Sequence, residues 1–108
     1  MSMNSAALAQ VADYFKLLSE STRLQVLCTL KEGALSVSEI VAASGLGQAN
    51  VSKHLKLLHQ AGVVSRTPRQ GCVYYEICDS TVFELCEVVS QRLVQHLAEQ
   101  QAVLSHWR

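Results

Sequence analysis

Among the side chains of this sequence that can do chemistry, the basic ones between Ile40 and Tyr75 stand out by their company. That stretch holds no Asp or Glu, so Lys53, Lys56, Arg66 and Arg69 give it a charge of +4, while the flanks carry −4 and the chain sums to zero. A chain divided in this way has a polarised field, and a basic face is the footprint expected for a phosphate backbone. A solvated surface that simply lacks acids is the plainer alternative. Within the same stretch Gln48, Asn50, Ser52, Lys53 and His54 form a polar series. Gln and Asn can pair bidentately with adenine and Lys can reach guanine or phosphate, although Gln48 or Asn50 taken alone suits a solvated helix start equally well.

Thiols offer a second chemistry, since Cys28, Cys72, Cys78 and Cys86 could pack, ligate a soft ion or sense an oxidant. Cys72 and Cys78 stand six residues apart in a strand-like stretch. That separation is roughly 20 Å in an extended strand, too far to share an ion or a disulfide. Cys28 falls in the apolar stripe of a helical segment, where a buried structural thiol is the ordinary expectation. A thiol enzyme would need a nucleophile, a base and an orienting group. No short signature brings Cys and His together, so neither an enzyme nor a cofactor is expected.

A chain of 108 residues and 11.8 kDa is one ordinary domain, expected over 1–108, and at 49% hydrophobic and 17% charged it can bury a core. Five Gly and one Pro exclude a collagenous or Gly/Pro-rich chain. No apolar run approaches the roughly 18 residues of a membrane span, and residues 1–15 lack the pattern of a signal peptide. A soluble cytoplasmic protein with free thiols is therefore expected, without a membrane partner.

Apolar residues recur at helical spacing over most of the length. Ala7, Val11, Tyr14, Phe15 and Leu18 make one stripe, over about 5–18. Ser19 can cap a second helix carrying Leu24, Leu27, Cys28 and Leu30, with Gly33 near its end. Ser36-Val37-Ser38-Glu39 reads as a capping box that starts a short third helix, ended near Ser44-Gly45. A fourth helix runs from about Gln48 to Gln60 with Val51, Leu55 and Leu58 inward. The third and fourth helices, about 36–60, make a helix-turn-helix.

The period then falls to 2 over about 63–77, where Val63–Thr67 and Cys72–Ile77 flank Pro68-Arg69-Gln70-Gly71, a β-hairpin with a basic tip. From Asp79 a long helix, about 79–104, carries Val82, Leu85, Cys86, Val89, Leu93 and Leu97 on one stripe. The fold class is mainly α (α+β), a winged helix-turn-helix in the order α-α-α-α-β-β-α. The first and last helices have more apolar surface than the small domain can cover, which makes them the expected homodimer interface.

Leu17-Leu18-Ser19 with Thr22-Arg23-Leu24, then Leu46 through Leu58, Ala61-Gly62-Val63-Val64 and Val73-Tyr74-Tyr75 resemble the ArsR/SmtB family. The resemblance spans roughly residues 8–95. It implies a bacterial repressor that binds double-stranded DNA as a homodimer and leaves it when a metal, metalloid or thiol-reactive signal binds. In that family the fourth helix enters the major groove, here offering Gln48, Asn50, Ser52, Lys53 and His54, with Lys56 beside them. The hairpin is the wing, with Arg66, Arg69 and Gln70 near the minor groove or its phosphates. Many relatives have Ser where this chain has Gly47.

The family's sensing sites are matched only in part. Ser36 and Ser38 stand where the arsenic and lead type has cysteines. His96 and Glu99 match half of the zinc type, but the other half falls on Phe83 and Leu85, so no metal site is expected. Cys28 matches the first reactive cysteine of the persulfide sensors, whereas Val94 takes the place of the second and Cys86 lies two turns earlier. Cys28 and Cys86 are thus the candidate sensing thiols of an otherwise unidentified inducer. A winged helix used for protein contacts alone and a ligand-independent DNA-binding regulator are the alternatives.

Overall fold

The computed structural model describes residues 4–105; the ends of the expected 1–108 domain, residues 1–3 and 106–108, lie outside the described residues. Helix α1 (Ser5–Lys16) starts at Asn4, whose side chain accepts from the Ala7 N–H. Helix α2 (Ser21–Thr29) has Glu20 at its N-cap with no side-chain cap. Ser19, expected to cap it, instead donates its hydroxyl to the Lys16 carbonyl, closing α1 rather than opening α2.

Helix α3 (Val37–Ser44) begins with the expected capping box: the Ser36 side chain accepts from the Glu39 N–H while the Glu39 carboxylate accepts from the Ser36 N–H. It ends at Gly45, whose φ of 76° is left-handed and natural only to glycine or a few polar residues. Helix α4 (Gln48–Gln60) follows after a three-residue link.

Three strands complete the framework: β1 (Leu35–Ser36), β2 (Val64–Arg69) and β3 (Cys72–Ile77), ordered β1-β3-β2 and antiparallel throughout. The two-residue β1 has no counterpart among the elements expected from the sequence. It exists because Leu35 and Ser36 pair with Tyr75 and Tyr74. The hairpin is also tighter than expected. Strand β2 runs through Pro68 to Arg69, and Gln70 and Gly71, at φ 52° and 80°, make the two-residue turn. Pro68 is tolerated because β2 is an edge strand and lacks one neighbour to bond.

The core gathers Leu17, Val26, Leu27 and Leu30 with Ile40, Val51, Leu55, Leu58, Val63 and Val64. Helix α5 (Thr81–Ser105) joins it at one end only, through fully buried Val82 with Phe83 packed nearby. Val82, expected on the outward stripe with Leu85, Val89 and Leu93, is therefore an anchor to its own domain. Asp79 accepts from the Thr81 N–H and from the Tyr14 hydroxyl, tying the start of α5 to α1. From Glu87 onward every described residue of α5 is exposed. The radius of gyration of 17.7 Å exceeds the about 13 Å of a compact chain this size. No helix among the described residues is long and apolar enough to cross a membrane.

Candidate nucleic-acid interface

Helix α4 is positioned by its inner face. Val51, Leu55 and Leu58 are completely buried, which fixes which residues point outward: Gln48, Ser52, Lys53 and Lys56 are exposed and Asn50 is half-buried. Half-buried Leu46 packs against the core between the two helices and anchors the link that sets their angle. Gly47 is the N-cap of α4 and supplies no side-chain bond, so the first N–H groups of the helix face outward with their positive dipole end.

On the hairpin, Arg66, Arg69 and Gln70 are all exposed. Arg66 pairs with Tyr75 and leaves the sheet on the face that Val64 and Tyr75 turn toward the helices. Arg69 has the opposite parity, and its guanidinium lies over the Tyr74 ring at 4.8 Å, an arrangement that restrains an otherwise floppy side chain. The ion pairs among the described residues are Lys16–Asp13, Arg23–Glu20 and Arg92–Glu99. Lys53, Lys56, Arg66 and Arg69 take part in none of them.

His54 departs from the expected outward series. It is 1% exposed and lies on the inner face with Val51, Leu55 and Leu58, so it cannot be a direct contact to a ligand outside the helix. Its Nδ1 accepts from Arg23 Nε at 3.4 Å and its Nε2 lies 3.1 Å from Thr22 Oγ1. A guanidinium has no acceptor, which places the ring proton on Nε2 as donor to Thr22. Burial first, and the Arg23 charge second, hold the His54 pKa below its ordinary value, so the ring is neutral. Arg23 is itself buried and also donates to the Lys16 carbonyl and the Glu20 carboxylate.

The thiols are distributed rather than gathered. Cys28, expected to be buried, is exposed, because α2 buries Arg23, Val26 and Leu27, followed by its buried C-cap Leu30, and turns position 28 outward. It lines a shallow groove with Leu24, Gln25, Ala43 and Ser44, to which half-buried Cys86 does not contribute. Cys72 is exposed near the wing tip, and exposed Cys78 donates its thiol to the Gly62 carbonyl. On α5, His96 bonds Gln100 and Glu99 faces Arg92. Among the described residues no three His, Cys, Asp or Glu side chains come together as a metal site.

Known proteins share this arrangement. Residues 20–66 match the model of the bacterial regulatory proteins of the ArsR family. A biofilm growth-associated repressor of Xylella fastidiosa is 33% identical over 76 residues, covering 70% of this chain and 67% of that protein. The HTH-type transcriptional regulator Rv0081 of Mycobacterium tuberculosis is 33% identical over 98 residues, 90% of this chain and 86% of its own. Its crystal structure superimposes with a TM-score of 0.74, at 30% identity over 92% of this chain and 98% of that one. A homodimeric winged helix-turn-helix DNA-binding domain from Mycobacterium bovis gives a TM-score of 0.73 at 32% identity, covering 89% and 95% of the two chains. With the same helix-turn-helix, the same wing and this degree of identity along most of its length, the chain belongs to the ArsR family of bacterial regulatory proteins.

Proposed function

We propose that this chain is a cytoplasmic, non-enzymatic transcriptional repressor that binds a palindromic operator as a homodimer, all of 1–108 serving as one domain. The observation that carries the proposal is the unpaired basic surface shared by α4 and the wing. Gln48, Asn50, Ser52 and Lys53 read base edges in the major groove, while Lys56 and Arg66 hold phosphates, and Arg69 and Gln70 reach the minor groove or its flanking phosphates. The dimer forms through α1 and α5, where Leu8 and Phe15 are each 54% exposed and Val89, Leu93 and Leu97 are 56%, 58% and 60% exposed. Selecting duplexes from a random pool tests this. Two half-sites with centres about one helical turn apart are expected, and a pool that stays random refutes it.

The signal that releases the operator is thiol-reactive and enters through Cys28, with Cys86 assisting. Exposure of Cys28 supports this, because a sensing thiol must be reachable. Cys28→Ser is expected to bind the selected duplex normally but to keep it in the presence of sulfane sulfur, peroxide or arsenite. Release from Cys28→Ser like that of the unaltered protein refutes the assignment.

A further inference from the structure

Helix α4 has one fully buried polar side chain, and it lies in the middle of the helix. His54 is neighbour to Lys53 in sequence and one turn beyond Asn50, so whatever sets the His54 ring sets the placement of the outward residues. Apolar contacts with Val51, Leu55 and Leu58 hold α4 against the core, but they are not directional and fix the roll of a helix less sharply than hydrogen bonds do. The two ring nitrogens of His54 are directional. They engage consecutive residues, Thr22 and Arg23, in the first turn of α2. The same Arg23 guanidinium bonds the Lys16 carbonyl at the end of α1, at 2.9 Å, and the carboxylate of Glu20.

One buried cation thus joins the C-terminus of α1, the N-terminus of α2 and the centre of α4. For stability alone this is a poor choice, because a buried charge with its partners is commonly no better than well-packed apolar side chains of the same volume. What it supplies is a fixed orientation. Every buried polar side-chain atom among the described residues has a partner, so the joint is complete as it stands.

We propose that Arg23, His54 and Thr22 are positioning residues for operator recognition, fixing the roll of α4 against α1 and α2 so that Gln48 and Asn50 meet base edges in register. The proposal rests on the operator binding argued above. None of the three touches DNA. Loosening the joint leaves long, flexible Lys53 and Lys56 able to find phosphates, whereas bidentate base contacts tolerate little misplacement. The loss therefore falls on discrimination between sequences rather than on binding as such. A variant that was merely less folded would lower the affinity for every duplex equally.

The test measures the affinity ratio between a duplex selected by the unaltered protein and a scrambled duplex of equal length, at one salt concentration. His54→Phe keeps a flat aromatic ring, somewhat larger than imidazole, and removes both bonds. It is expected to lower the ratio about tenfold or more, comparable to a mismatched base pair, with affinity for the scrambled duplex kept within about twofold. His54→Gln, which retains one donor and one acceptor, is expected to recover most of the ratio. Thr22→Val changes a half-exposed residue and is expected to move the ratio in the same direction; it decides the matter if His54→Phe does not fold. An unchanged ratio in folded His54→Phe, or in Thr22→Val when that variant decides, overturns the joint, as does an equal loss on both duplexes. If the unaltered protein itself shows no preference among duplexes, operator binding fails and the joint's role in it fails too.

Discussion

Replacing Leu93 by Asp should turn the protein into a monomer without unfolding it. Leu93 is 58% exposed in the protomer, so its own core loses nothing when it changes. Full burial of a Leu, Val or Phe side chain contributes about 1.5–3 kcal/mol, and pairing would recover rather more than half of that at each exposed position, about 1–2 kcal/mol. Leu8, Phe15, Val89, Leu93 and Leu97, each 54–60% exposed, give about 10–20 kcal/mol when five such side chains from each of two protomers are covered. Association entropy opposes this with about 4–15 kcal/mol, so the dimer depends on most of the stripe.

Two copies of Leu93→Asp remove about 2–4 kcal/mol of apolar burial and add two carboxylates that must lose water. The dimer should weaken by at least about a hundredfold. Sedimentation velocity reads this directly, with far-UV circular dichroism expected to match that of the unaltered protein and the melting temperature expected to fall, because association no longer favours the folded state. A variant that sediments as a dimer at the same concentrations would refute the interface, and a monomer that has lost helical circular dichroism at room temperature would refute the independence of α5 from its own domain beyond Cys86.

Three smaller perturbations probe the frame around the site. Tyr14→Phe removes the bond to Asp79 and should cost about 1 kcal/mol in chemical denaturation. The Tyr14 hydroxyl, pushed up to about 12 by burial and by Asp79, also makes the unaltered protein lose stability as pH rises above the usual tyrosine range near 10; Tyr14→Phe should lack that loss. Gly47→Ser should stabilise by a few tenths of a kcal/mol, since a Cβ there meets nothing within 4 Å and the hydroxyl can accept from the Ala49 or Asn50 N–H; a lower melting temperature would contradict the open cap. The lowered pKa of His54 means that the unfolded chain binds more protons than the folded one below about pH 6.5. Stability should therefore be full above that pH and fall as pH drops, burial and the Arg23 and Lys53 charges outweighing Glu20. Folded His54→Phe should show a flatter profile over the same range.

Local chemistry makes most of the fold legible in the sequence. The Ser36–Glu39 capping box, the Gly45 stop and the span of α4 are each written in a few adjacent residues, and all three stand where those residues put them. Strand β1 is not legible, because Ser36 is at once a cap and a strand end and its pairing partner Tyr74 is remote in the chain. Pro68 reads as a turn residue because nothing local says that β2 will be an edge strand.

The candidate site is legible in its charge and less so in its phase. His54 falls in with its polar neighbours by residue type, yet it lies three residues after Val51 and four before Leu58, the spacing of a buried face. Its partner Arg23 sits on another helix, so no local signal announces that a polar residue will be satisfied there. Cys28 shows the same error in the opposite direction. The buried spacing of α2 and its C-cap is Arg23, Val26, Leu27 and Leu30, and a charged residue at its head disguises the true stripe.

The salt dependence of binding to the selected duplex reports how many of the basic side chains of α4 and the wing meet phosphates. Lys53, Lys56, Arg66 and Arg69 from two protomers offer eight charges without acidic partners. If all eight met phosphates, log affinity against log salt would fall with a slope of about −7, and a partial set would give a shallower one. Lys56→Ala should reduce the slope by about 2 in the dimer and weaken selected and scrambled duplexes alike. A slope near zero, or one that Lys56→Ala leaves unchanged, would contradict the assignment of α4 and the wing as the nucleic-acid face.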